Sequence, residues 1–183
     1  MEIKHFGDSY DIVKKCFLSW VGDPKEWEIL PMFTNRVNVF KYRDFMGGTI
    51  ISESILTNNT NRGRYFNKAT LGANHIFIDP DKGIRIDERK NREKYKYIYC
   101  SEIVAIANRK PNNIILIFDQ SVNRNNVVKD IKNKLKALKK KGIAGKAYIS
   151  HANFIILSCN KEILDKAMSN IFSNSRLPKK RFI

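Results

Sequence analysis

Histidine and cysteine are scarce in this chain, with three of each in 183 residues. Cys16, Cys100 and Cys159 lie far apart and form no CxxC pair, which argues against a zinc site or a disulfide framework and for a reducing compartment. His5, His75 and His151 show no metal-ligand spacing either. No apolar run approaches the roughly eighteen residues that a membrane span needs, and the opening Met-Glu-Ile-Lys-His has no apolar signal core. A cytoplasmic protein with no membrane partner is therefore expected. Carboxylates are the other shortage. Asp and Glu number 18 against 34 Lys and Arg, leaving a net charge of +16. A surface that basic attracts phosphates and releases counterions when it meets nucleic acid.

What is present fits one globular unit. The hydrophobic fraction of 43% is ordinary for such a domain, and the expected division is a single α/β domain over residues 1–175 with a loose basic tail over 176–183. Asp8 or Ser9 caps a first helix whose apolar face is Ile12, Val13, Cys16, Phe17 and Trp20. Residues 27–33 read as the first strand. Val37, Val39, Phe40 and Tyr42 predict another, 49–51 a short one, and 57–64 an exposed loop. Ile76-Phe77-Ile78 is a strand halted by Asp79-Pro80-Asp81, and 85–96 is a solvated loop or frayed helix. A helix over 101–107 precedes Ile114 to Phe118, five apolar residues whose continuity implies burial on both faces of a parallel sheet. Residues 123–141 form the longest helix, striped by Val127, Val128, Ile131, Leu135 and Leu138 and ended by Gly142. A hairpin over 146–150 and 153–158 and a helix capped by Asn160 complete the order. Strands alternating with helices predict an α/β fold with a mostly parallel sheet and a C-terminal antiparallel hairpin.

Chemistry is expected at the C-terminal strand edges, where open α/β sheets bind ligands. Asp79-Pro80-Asp81-Lys82-Gly83 puts two carboxylates there, although the same five residues also make a good structural turn with Gly83 left-handed. Asp119 ends the strand Ile-Leu-Ile-Phe. If the two strands are neighbours, Asp79, Asp81, Asp119 and Gln120 converge on a site able to bind a metal or hydrogen-bond a base or ribose. Asp79, Asp81 and Asp119 are the catalytic candidates. An alternative joins Asp81 with Glu88 and Lys90 in the spelling of a metal-dependent nuclease, two carboxylates holding Mg²⁺ while the lysine activates water.

The basic residues cluster. Eight lysines and one aspartate lie between Lys129 and Lys146. Arg62, Arg64, Lys90, Arg92, Lys136, Lys139 and Lys140 are the candidates for phosphate contact with RNA or DNA. Tyr65, Phe66, Tyr95, Tyr97 and Tyr99 are interleaved with some of these charges, either to stack on unpaired bases or as core aromatics.

A parallel sheet closed by a helix and a hairpin resembles the methyltransferase version of the Rossmann fold. There a strand ending in Asp/Asn-Pro-Pro-Tyr presents the target amine; here the same place holds Ile78-Asp79-Pro80-Asp81. The segment Gly7-Asp8-Ser9-Tyr10-Asp11-Ile12-Val13-Lys14-Lys15 is similar to the Asn-x-x-Asp-x-x-Lys-His opening of the large-subunit ribosomal RNA adenine-N6 methyltransferases. The resemblance implies a Rossmann-like sheet with helices on both faces, a nucleic-acid substrate, and S-adenosylmethionine held around Asp11, Lys14, Phe33 and Thr34. Two departures stand out. Phe33-Thr34-Asn35-Arg36 replaces the glycine-rich turn after the first strand, and Asp81-Lys82 replaces the second proline and the base-stacking aromatic. A basic nucleic-acid-binding protein without the methyl-transfer chemistry is the non-catalytic alternative.

Overall fold

The computed structural model describes residues 7–87 and 92–183. Its elements in chain order are α1 (Ser9–Val21), β1 (Trp27–Leu30), α2 (Val39–Met46), β2 (Thr49–Ile50), α3 (Arg62–Asn67), β3 (His75–Ile78), β4 (Gly83–Arg85), β5 (Tyr97–Tyr99), α4 (Cys100–Arg109), β6 (Ile115–Phe118), α5 (Val127–Lys139), β7 (Ala144–Tyr148), β8 (Phe154–Ser158) and α6 (Lys161–Asn174). Six strands form one sheet in the order β2-β1-β3-β6-β8-β7. β1, β2, β3 and β6 pair in parallel, and β8 alone runs backwards, between β6 and β7. The fold is thus α/β with a mainly parallel mixed sheet.

The unbroken apolar strands follow from cover on both faces. Ile29, Phe77, Leu116 and Phe118 pack toward α1, α2 and α6, whereas Leu30, Ile76, Ile78, Ile115 and Ile117 pack toward α3, α4 and α5. β1, β6 and β8 are buried at every position. With no solvated face there is no alternation to read.

Several expectations are corrected. Most of the Val37–Tyr42 pattern belongs to a helix, α2, which begins at Val39. Asn38 caps it by accepting from the Lys41 N–H, and Gly47 ends it at φ 82°. Its buried side chains, Tyr42 and Met46, are four apart, so the period is helical rather than two. The last three positions of the exposed loop over 57–64 are helical, because Asn61 caps α3 through the Arg64 N–H. The stretch over 85–96 is flanked by β4 and β5, which pair in parallel as a separate two-stranded sheet. The tail is tied down. Phe182 bridges to Tyr148, and Ile183 and Ala147 exchange backbone hydrogen bonds, so the last residues extend the β7 edge.

His75 opens β3 at the sheet's opposite end. Its Nδ1 accepts from the Ile114 N–H at 3.2 Å, and its ring lies edge-on to Trp27. Burial lowers its pKa from the ordinary 6.5; Glu26 opposes this, and Lys110 and Lys166 reinforce it. Above 6.5 the ring is neutral in both folded and unfolded chains and adds no pH dependence. As the pH falls below 6.5 the unfolded chain takes up the proton first, so stability falls until native His75 protonates too. Urea denaturation between pH 7.5 and 5 should show this loss, and His75→Gln should flatten it. An equal slope in the variant would exclude His75 as its source.

Candidate functional site

The strand order turns back at β1: the chain goes first to β2 on one side and then to β3 on the other. The crevice beyond the C-terminal ends of β1 and β3 is the switch point, the place where such sheets take ligands. Here α1 lies beside it. The buried face of α1 is Asp11, Lys14, Phe17, Leu18 and Val21, rotated from the expected apolar stripe, and Ile12 is left exposed. The stripe misleads because two of the five inward positions are charged.

Those two charges meet Asp79. Lys14 Nζ lies 2.9 Å from Asp79 Oδ2 and 3.0 Å from Asp11 Oδ1, and 4.5 Å above the Phe118 ring. The Tyr42 hydroxyl donates to Asp79 Oδ2 at 3.1 Å, and the Gly7 N–H to Asp11 Oδ2 at 2.9 Å. Burial favours the neutral carboxyl and raises the Asp79 pKa, with Lys14 opposing. Burial alone would lower that of Lys14, but Asp79 and Asp11 together outweigh it and keep the ammonium charged. Burial and the neighbouring carboxylates push the Tyr42 phenol well above its usual range, so it stays a donor. One ammonium is thus shared by two buried carboxylates.

The turn after β1 is equally filled. Pro31, Met32 and Phe33 are buried and Thr34 is half-buried. Met32 takes φ 43°, the one non-glycine residue at positive φ among the described residues. A left-handed conformation on a buried methionine costs on the order of 1–3 kcal/mol and marks a turn held by its surroundings. A methyl donor needs close backbone approach here and polar groups free to receive it. Asp11 and Lys14 are paired with each other, and Met32 and Phe33 fill the turn.

Asp119 belongs to the other face. Ile78 pairs with Ile117, so Asp79 falls level with Phe118, and successive residues alternate across the sheet. Asp79 therefore points to α1 and Asp119 to α5. Asp119 Oδ2 lies 2.6 Å from Lys134 Nζ, which also donates to the Ser121 carbonyl at 2.6 Å. Asp119 Oδ1 accepts from the Ile84 and Ser121 N–H groups. Gly83, at φ 123°, passes so close that a Cβ would strike this carboxylate. β3 and β6 are neighbours as expected, yet Asp79 and Asp119 do not converge. Asp81 and Gln120 do line one cleft, of about 730 Å³, between β4, the loop after β6, and α5.

The basic candidates divide. Lys136, Lys139 and Lys140 are exposed along α5, and Arg64 and Arg92 are exposed elsewhere. Arg62 is committed, with two 2.7 Å bonds to Glu102 and one of 2.8 Å to the Tyr97 carbonyl. Of the interleaved aromatics, Tyr65, Phe66, Tyr97 and Tyr99 are buried core residues. Glu88 and Lys90 lie outside the described residues, and among those described no group of three His, Cys, Asp or Glu is placed to hold a metal. Sequence reasoning missed Tyr42, hidden in a misassigned strand, and Lys134. The signal for Lys134 was its spacing: three after Ile131 and four before Leu138, it sits on the buried stripe of α5.

Removing one partner from a buried ion pair leaves a charge uncompensated. Lys14→Met should therefore cost about 3–5 kcal/mol of stability. The triple change Asp11→Asn, Lys14→Met and Asp79→Asn should recover most of that loss. A single variant within about 1 kcal/mol of wild type in chemical denaturation would contradict the pairing. No protein-family profile, curated protein or solved structure matches this chain.

Proposed function

We propose that this protein is a non-catalytic nucleic-acid-binding member of the Rossmann-like, methyltransferase-like folds, working by polyanion capture rather than methyl transfer. The strand order supports the scaffold part of this reading: parallel strands turn back at β1, and the sheet ends in a hairpin whose reversed strand is inserted beside β6. On this reading α1 would be the opening helix of the adenine-N6 methyltransferase resemblance, and Asp79 would begin its strand-end tetrapeptide.

One observation carries the non-catalytic part. The Lys14 ammonium sits between Asp79 and Asp11 at the switch point, with Tyr42 completing the bonds to Asp79. A carboxylate that must position a target amine has to keep a lone pair toward the substrate. Asp79 is 2% exposed and turned inward. The binding part rests on the net charge of +16 and on the exposed lysines of α5.

Two measurements test the two parts. Millimolar S-adenosylmethionine should leave the melting temperature unchanged; a clear rise would restore the donor site. Fluorescence anisotropy with labelled RNA and DNA should give affinities that fall steeply with salt. Each phosphate contact contributes a slope of about 0.7–0.9 in log K against log salt, so Lys136→Ala, Lys139→Ala and Lys140→Ala together should reduce it by about 2. No binding of either nucleic acid at low salt would remove the binding part.

A further inference from the structure

The cleft and a second concavity share one wall. The cleft is lined by Lys82, Arg85, Tyr97, Gln120, Asn123 and Asn133 among others. The second concavity, of about 530 Å³, is lined by Arg124, Lys129, Lys132 and Asn133 together with Val127 and Val128. Asn133, exposed on α5, borders both.

Their electrostatics differ in kind. Within the cleft the cations are balanced. Lys82 is 2.7 Å from Glu93, Lys134 is 2.6 Å from Asp119, and Asp81, Asp87 and Asp130 add negative charge. The second concavity has three cations and no carboxylate in its lining. A phosphate is favoured in the second and gains little in the first. The cleft instead offers a guanidinium held over an aromatic ring. The Arg85 guanidinium lies 4.5 Å from the centre of the Tyr97 ring and donates to its hydroxyl at 3.2 Å. Arg85 is exposed and lines the cleft. An exposed guanidinium lining a cleft can stack an unpaired base. The side-chain amides of Gln120, Asn123 and Asn133 also line the cleft; Gln120 Nε2 donates to the His151 carbonyl at 3.1 Å and Asn123 Oδ1 accepts from the Asn125 N–H at 3.0 Å, and their remaining amide capacity can meet a base edge. The volume is that of a small-molecule pocket.

We infer that the cleft takes one unpaired base of a single-stranded nucleic acid, stacked on Arg85 over Tyr97, while neighbouring phosphates lie in the Arg124–Lys129–Lys132 concavity across Asn133. This rests on the nucleic-acid-binding reading above and narrows it to single strands. Duplex bases are stacked on one another and cannot enter such a cleft without flipping.

The test compares labelled twelve-residue oligo-U and oligo-dT, the duplexes of the same sequences, and an abasic strand with the same phosphate count, by anisotropy across a salt series. The base-bearing single strands should bind at least about tenfold tighter than the abasic one, since a stacked base contributes that much or more. Arg85→Ala with Asn133→Ala should erase this gap and leave the salt slope unchanged. Lys129→Ala with Lys132→Ala should weaken the base-bearing and abasic strands alike and lower the slope. All four positions are exposed, so the variants keep the core. Tighter binding of oligo-U assigns the strand to RNA and of oligo-dT to DNA, and either supports the inference. Equal affinity for base-bearing and abasic strands, or a gap that survives Arg85→Ala with Asn133→Ala, overturns it while salt-dependent binding persists. Failure of every strand to bind removes the underlying reading instead.

Discussion

Buried lysines hold the loops and helices of this protein to the ends of its strands. Lys14 reaches from α1 to Asp79 past β3. Lys134 reaches from α5 to Asp119 past β6 on the opposite face. At the other edge Lys110, one residue past α4, bonds Glu28 at 2.7 Å and the carbonyls of Gly72 and Asn74. Burying an ammonium is costly unless a carboxylate and further acceptors receive it. Each of these lysines has both: Lys14 meets two carboxylates, and Lys110 and Lys134 each meet one carboxylate and at least one carbonyl. The close fit has local consequences. Gly72 has no room for a side chain because Glu28 occupies the space, and Gly83 has none because Asp119 does.

The same pairs account for what was legible in the sequence. The strands Ile76–Ile78 and Ile114–Phe118, the helix over 123–141 and the Asn160 cap are written in apolar runs and turn residues, and the structure has them within a few positions; the hairpin is matched in part, its first strand lying at Ala144–Tyr148. The inward face of α1 is not written that way. Apolar periodicity assumes that inward means apolar, and Asp11 and Lys14 break the assumption by satisfying each other. The Val37–Tyr42 segment shows a different limit. Four aromatic or branched residues within six positions imitate a strand, while the deciding contact, Tyr42 to Asp79, lies 37 residues away. The small parallel sheet of β4 and β5 was illegible because its strands are only three residues long.

The candidate site was half legible. Strand-end carboxylates could be placed at a sheet edge from sequence, and adjacency of their strands could be guessed. The face each one takes could not, because it depends on a register difference of one residue. With Ile78 opposite Ile117, Asp79 and Asp119 fall on opposite sides. That single step separates a converging acidic cluster from two independent ion pairs. Asp81 and Gln120, lying in loops rather than in the sheet, escape the alternation and meet in the cleft.

A sheet whose switch point is filled still has an edge to use. The fill at β1 and β3 sets one ammonium against two carboxylates, so it offers no attraction to an incoming phosphate. Exposed cations also lie along α5, whose inward lysine is spent on Asp119 and whose outward lysines face solvent. The helix thus separates two uses of one residue type. Lys134 anchors the helix to β6, and Lys129 and Lys132, on other turns of the same cylinder, face the cation-lined concavity. Because the anchor fixes the helix against the strand end, it also fixes the distance between that concavity and the Arg85–Tyr97 stack. On the proposed function, the pair that keeps Asp119 out of chemistry is the one that sets the spacing between the place for a base and the place for its phosphates.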